Sequence, residues 1–385
     1  MKRLAFLAAF LPSVALGVTD QTIYVNASCT NNGDGTTSSC AASNGAAGAF
    51  NDLKSAVDTS ATNLITADKR HVYDIQGSTA DTITSAIDLS GYGTGTSITQ
   101  YPLFQQSGGN ISPGYWDTSK SRLSCSGYEG CFIANAKYQW FSHLQMESTR
   151  QTDGPGAGII ANSANNAGGL ILATGNVIRY NCSSSCTSSS QNAGIFVKND
   201  ADVDAVTAIF INNVVYGFQY YGIGAEIASG DTWNFLIYNN TLVDNGVTQL
   251  YLVAYATGDL AYLRDNLLQG ADSATNYSLE SSFTAYTHAK NISEDASSPD
   301  ASYQSKAVAF ANEASHDYRL SSTDTDARDQ GDDLSADPSF AFAEDVAGTS
   351  RPVNSVWDIG AFEGSVVGGG GGGGSAAPMI LNSDL

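Results

Sequence analysis

One short motif recurs through the middle of the chain and limits what it can fold into. The segments GLILATGNVIRYN (169–181), AIFINNVVYG (208–217), FLIYNNTLVDN (235–245), AYLRDNLLQG (261–270) and AYTHAKNIS (285–293) share one shape. Each holds an apolar or aromatic run, a two-residue break ending in Asn, and a second short run. The breaks are Gly175-Asn176, Asn212-Asn213, Asn239-Asn240, Asp265-Asn266 and Lys290-Asn291, with the Asn residues 37, 27, 26 and 25 apart. An earlier segment, YQWFSHLQM (138–146), has the same shape with His143 in the Asn place. Asn tolerates the left-handed backbone angles of a sharp turn, and its amide bonds nearby peptide groups. Strands stacked in register lie ~4.8 Å apart, which suits one amide-to-amide bond per step. The expectation is a structural file of Asn side chains, with no catalytic role.

A second marker supports stacking. Gly158-Ile159-Ile160, Gly194-Ile195-Phe196-Val197 and Gly222-Ile223-Gly224-Ala225 lie 36 and 28 residues apart, and Leu250-Tyr251-Leu252-Val253 follows. Three short strands in each repeat leave no room for a βαβ unit with a full helix. They fit a solenoid whose rungs bury one continuous apolar column.

Composition narrows the classes further. The 385 residues carry 17 Lys+Arg against 38 Asp+Glu, a net charge of −21. A nucleic-acid binder needs clustered cations, so that class is set aside. With 39 Gly, a helical bundle or coiled coil is disfavoured, and 15 Phe, 19 Tyr and 4 Trp are enough to build a core.

The N-terminus reads as an address. Lys2-Arg3, the apolar run Leu4 to Leu16 and the small residues Ala15 and Gly17 form a secretory signal pattern over residues 1–17. No later segment approaches the ~18 apolar residues of a membrane span. Six cysteines agree with export. They come as neighbours, and the expected local pairs are Cys29–Cys40, Cys125–Cys131 and Cys182–Cys186, among fifteen possible connectivities. Metal binding is the rival reading, without a C-x-x-C and with the histidines scattered.

Phe50, Leu53 and Val57 share a helical face, so residues 18–70 read as an N-terminal cap region containing an amphipathic helix. Residues 71–364 read as the solenoid. The seven glycines Gly368 to Gly374 and the tail after them make residues 365–385 a flexible tether.

These repeats resemble the right-handed parallel β-helix repeat family, the pectate-lyase-like superfamily. Asp317-Tyr318-Arg319-Leu320, Asp329-Gln330-Gly331 and Asp358-Ile359-Gly360-Ala361-Phe362-Glu363 are similar to the closing rung of many secreted bacterial members. The resemblance covers roughly residues 20–364. It implies an all-β, single-stranded right-handed parallel β-helix, a fold that carries lyases, hydrolases, adhesins and virion spikes. It also implies that the sheet bearing the Gly-Ile strands is the floor of a saccharide groove.

Alignment on Gly158, Gly194 and Gly222 places Asn162, Lys198 and Glu226 in one outward column. Lys198 and Glu226 are the candidate catalytic pair, with Arg179 or Arg264 as helpers on other strands; the competing reading, which weighs more, is an ordinary cross-rung ion pair. Asn162, Tyr251 and Tyr255 are the candidate glycan-binding residues, since exposed Tyr rings stack on sugars. Asp200, Asp202 and Asp204 alternate as oxygen ligands for Ca²⁺ could, without the Gly and distal Glu of an EF-hand. A second acidic cluster, Asp324 to Asp333, falls mostly in the closing-rung motif. Lyase chemistry would need a base and a cation on a uronate; inverting hydrolysis would need paired carboxylates. The expectation is a secreted or surface-displayed β-helix that binds an extracellular glycan, as monomer or trimer. The alternatives are a polysaccharide lyase and a structural, adhesive or virion-associated component.

Overall fold

A computed structural model describes residues 18–364 apart from 128, 151–155, 163–167, 182–191, 199–205, 228–231, 255–258, 271–274, 280–282, 284 and 354–355, with the side chains of residues 162, 254 and 285 also outside the description. The expected signal (1–17), the Cys182–Cys186 pair, the acidic triplet Asp200, Asp202 and Asp204, the Tyr255 position and the glycine tether all lie outside the described residues.

The chain is a parallel β-helix. Three sheets of nine, eight and seven strands run the length of the solenoid, and every ladder within them is parallel. One rung reads Leu170–Thr174 in the first sheet, Val177–Tyr180 in the second and Ala193–Lys198 in the third. Inward positions of the first sheet stack aromatic rings from rung to rung, Tyr73 on Phe104 at 4.8 Å and Phe104 on Phe141 at 5.4 Å. The third sheet contributes Ile159, Ile195, Ile223 and Leu250 to the same core.

The Asn file exists. Asn176 donates its amide to Asn213 at 2.9 Å, Asn213 to Asn240 at 2.9 Å, Asn240 to Asn266 at 3.0 Å and Asn266 to Asn291 at 2.9 Å. Asn291 ends the file on Asp300 at 2.9 Å. Each amide also bonds backbone, as when Asn213 donates to the Ala173 carbonyl at 2.9 Å. The division of labour at the corner differs from the expectation. The first residue of each break takes the left-handed conformation: His143, Gly175, Asn212, Asn239, Asp265 and Lys290 all have φ between 49° and 66°. The second residue, the Asn, makes the file. His143 therefore does not stand in the Asn place; Leu144 does, and its N–H donates to Asn176 Oδ1 at 3.0 Å.

The N-terminal end is covered by helix α1 (Leu53–Ser60), capped by Asp52 and burying Leu53, Ala56 and Val57. Phe50 precedes this helix and bridges to Val25. The first sheet begins earlier than the sequence boundary at residue 71, because Thr19–Asn26 pairs in parallel with Lys69–Gln76. Cys29–Cys40 and Cys125–Cys131 are bonded.

The expected closing rung is not a rung. Asp317–Leu320 forms an antiparallel pair with Phe310–Asn312, and residues 357–364 carry no strand. The described residues among 329–364 instead double back along the outside of the corner between the first and second sheets, as a strap. The strap engages the left-handed corner residues one after another. Lys290 pairs with Asp332 at 2.7 Å. Asp265 accepts from the Asp332 N–H at 3.1 Å, and its carbonyl accepts from the Gly360 N–H at 2.8 Å. Asn239 donates to the carbonyls of Asp358 and Gly360, both at 3.2 Å. Asn212 donates to the Glu344 carbonyl at 2.6 Å and accepts from Arg351 at 3.1 Å. Leu334, Phe340, Phe342 and Trp357 pack on Ile211 and Tyr238 of the first sheet, while Val346, Ala361 and Phe362 pack on Val214 and Val243 of the second. Gly360, at φ 95°, is required here: a Cβ would lie 2.7 Å from Thr241 Oγ1.

Candidate functional site

The third sheet sets the geometry of the candidate site. Its central strands are Ile159–Asn162, Ala193–Lys198, Tyr221–Ile227 and Thr248–Ala254. Backbone register pairs Asn162 with Lys198, Lys198 with Glu226 and Glu226 with Val253. The side chains alternate as the apolar pattern requires: Ile195, Val197, Ile223, Ala225, Leu250 and Leu252 are buried in the interior, so Lys198 and Glu226 project outward, and both are half-buried. The Asn162 side chain lies outside the described residues. Val253, the next position in the column, is buried although it faces out.

Burial pushes the Glu226 carboxyl above the usual carboxylate range. Tyr221 is pushed up to about 12, first by burial and then by the nearby Tyr251 and Glu226. A carboxyl, an ammonium and phenol rings are thus brought to one outer face.

The aromatic part of this face holds a feature the sequence reading missed. Tyr221 and Tyr251 stack at 4.6 Å with planes 3° apart, and Phe196 continues the series at 6.5 Å and 8° from Tyr221. Outward alternation alone would place residue 224 between Phe196 and Tyr251. That residue is Gly224, and the Tyr221 ring fills the space above it: a Cβ there would meet Tyr221 at 2.7 Å. The available signal was the Gly interrupting an alternating strand three residues after a Tyr. Tyr251, picked from the sequence, closes the stack; the next residue in register is Ser278, which has no ring to extend it.

The proposed helpers stand elsewhere. Arg179 lies on the second sheet, paired with Glu147 and stacked 3.9 Å from the centre of the Trp116 ring. Arg264 lies on the first sheet, paired with Asp337 at 3.2 Å. Neither shares the face of Lys198, so a Lys198–Arg179 or Lys198–Arg264 pair acting on one sugar is not formed.

Among the described residues, no group of three or more His, Cys, Asp or Glu side chains is arranged to hold a metal ion. In the acidic cluster Asp324 to Asp333, Asp324 caps the turn at Ala327, accepting its N–H at 2.9 Å, and Asp332 binds Lys290. Those carboxylates are structural. Among the described residues, no helix is long and apolar enough to cross a membrane. No protein-family model matches the sequence, and a search of curated proteins returns no match.

Proposed function

We propose that the protein is an exported β-helix that binds an extracellular glycan on the outer face of its third sheet, and that it belongs with the pectate-lyase-like solenoids its repeats resemble. The observation that carries this reading is the coplanar Tyr221–Tyr251 pair standing beside the Lys198–Glu226 column on one face. Aromatic rings offer apolar area to the faces of sugars, while a carboxyl and an ammonium one strand apart bond their hydroxyls. The two disulfides support an oxidising destination.

A second reading, a polysaccharide lyase or related carbohydrate-active enzyme, draws on the raised Glu226 carboxyl, since perturbed acids gather at catalytic sites. The test covers both. Purified protein is screened on a glycan array and, separately, incubated with a polysaccharide panel while ultraviolet absorbance follows unsaturated ends. Binding that falls in Tyr251→Ala and Lys198→Ala supports the first reading. Release of unsaturated product, lost in Lys198→Ala, replaces it with the second.

A further inference from the structure

The charges around the proposed face identify the class of glycan; this inference rests on the glycan-binding reading above. In all seven strands of the third sheet the charged residues are Asp88, Lys198 and Glu226, one cation against two carboxylates. The single cation has Glu226 as its neighbour in register. The connections entering and leaving these seven strands contain two cations, Lys137 and Arg150, against ten acidic residues.

The cations of the other two sheets are bonded within the protein: Lys69 donates to Gln21, Arg122 to the carbonyls of Ser78, Thr118 and Lys120, and Arg70 is held by Asp20. Arg179 is held by Glu147 and Arg264 by Asp337, and Lys290, at the corner, is held by Asp332. A polyuronate or sulfated chain brings one or more negative charges per sugar. It would meet this face with no surplus positive charge and with a net −21 on the chain as a whole. A neutral sugar meets no such penalty. Its ring faces suit Tyr251, and its hydroxyls can donate to Glu226 and accept from Lys198, bonds that need no net charge.

We infer that the glycan bound on the third sheet is a neutral polysaccharide and that uronate and sulfated polymers are excluded. Binding then depends on ring stacking and short-range hydrogen bonds, and is insensitive to salt, whereas ion-driven binding weakens as screening grows.

The experiment is affinity electrophoresis of the full chain through gels containing a neutral β-glucan, a galactomannan, polygalacturonate, alginate or a sulfated galactan. Each gel is run at 50 and 500 mM NaCl, with chelator and with Ca²⁺. The expected result is retardation by at least one neutral polymer, changing less than about twofold between the two salt levels. Tyr251→Ala should weaken it by about tenfold, the scale of a lost ring contact. Thr287→Ala, exposed on the first sheet away from this face, should leave it within about threefold, and circular dichroism on both variants establishes that they fold. Retardation by an acidic polymer in preference to every neutral one overturns the neutral class and leaves glycan binding standing. Retardation by none of the five overturns both.

Discussion

Arg351 and Glu363 meet at 3.1 Å with side chains only 0% and 1% exposed. The guanidinium also donates to the carbonyls of Asp358 (3.0 Å) and Gly360 (2.8 Å) and to Asn212 Oδ1 (3.1 Å). The carboxylate accepts from the N–H groups of Val353 (2.9 Å) and Asp358 (3.0 Å). This one pair therefore ties the two legs of the strap to each other and to the corner of the coil.

Removing one partner leaves a buried charge without its counterpart, which typically costs about 3–5 kcal/mol. Arg351→Met is expected to destabilise by that amount in urea unfolding. Hydrogen exchange should speed up first in residues 329–364, with the Asn file still protected.

The Asn file makes a second prediction. Asn240 accepts from both the backbone N–H and the amide of Asn213, and donates to the Phe210 carbonyl and to Asn266. Asn240→Ala orphans several buried groups at once, each worth about 1–3 kcal/mol. A loss on the order of 3 kcal/mol is expected, against less than about 1 kcal/mol for an exposed control such as Thr287→Ala, by the same denaturation.

The pH profile should come from two opposed sets of buried groups. Burial pushes Asp81 and Asp358 up to about 6. Their contribution is full below the unfolded value of 3.8 and is lost as pH rises through about 6. Burial pushes His71 and His143 down to about 4 from 6.5, so their contribution is present above 6.5 and lost as pH falls toward 4. Asp265 and Asp345, also pushed up by burial, add to the first set, so the wild-type melting temperature is expected to fall as pH rises from about 4 to 6.5. Asp358→Asn should make that fall shallower, and His71→Phe should make it steeper. Calorimetric scans at half-unit pH steps measure both slopes.

Cys29–Cys40 closes a loop with a sequence separation of 11 beside the N-terminal cap. On loop-closure entropy alone, replacing both residues by Ser should cost about 2–3 kcal/mol. Reduction of the wild type should give the same loss, read as a matched fall in urea midpoint.

Much of the coil was legible because its determinants repeat at short range. The two-residue breaks announced the Asn file, and the Gly-Ile strands gave the register that sets Lys198 against Glu226. The corner conformation was misassigned because Asn stands at both positions in Asn212-Asn213 and Asn239-Asn240; only Gly175, Asp265 and Lys290 in the first place show which residue carries the positive φ. The strap was hidden for a different reason. Its bonds link residues far apart in the chain, 42 positions for Lys290 and Asp332 and 139 for Asn212 and Arg351, largely through backbone groups that no side-chain pattern advertises. The aromatic stack escaped because Tyr221 reaches its place by leaning over Gly224, a move that strict alternation does not foresee.

The strap has an evolutionary corollary. Solenoids lengthen readily by duplicating a coil, because each coil touches only its neighbours. Here the anchors at Asn212, Asn239, Asp265 and Lys290 must fall opposite fixed points on a single returning segment. An extra coil inserted among them would displace every later anchor by one strand spacing, ~4.8 Å, while the returning segment stayed the same length. The strap is thus a ruler for this stretch of the protein, and growth or shrinkage of the coil should be confined to the rungs that lie before Asn212.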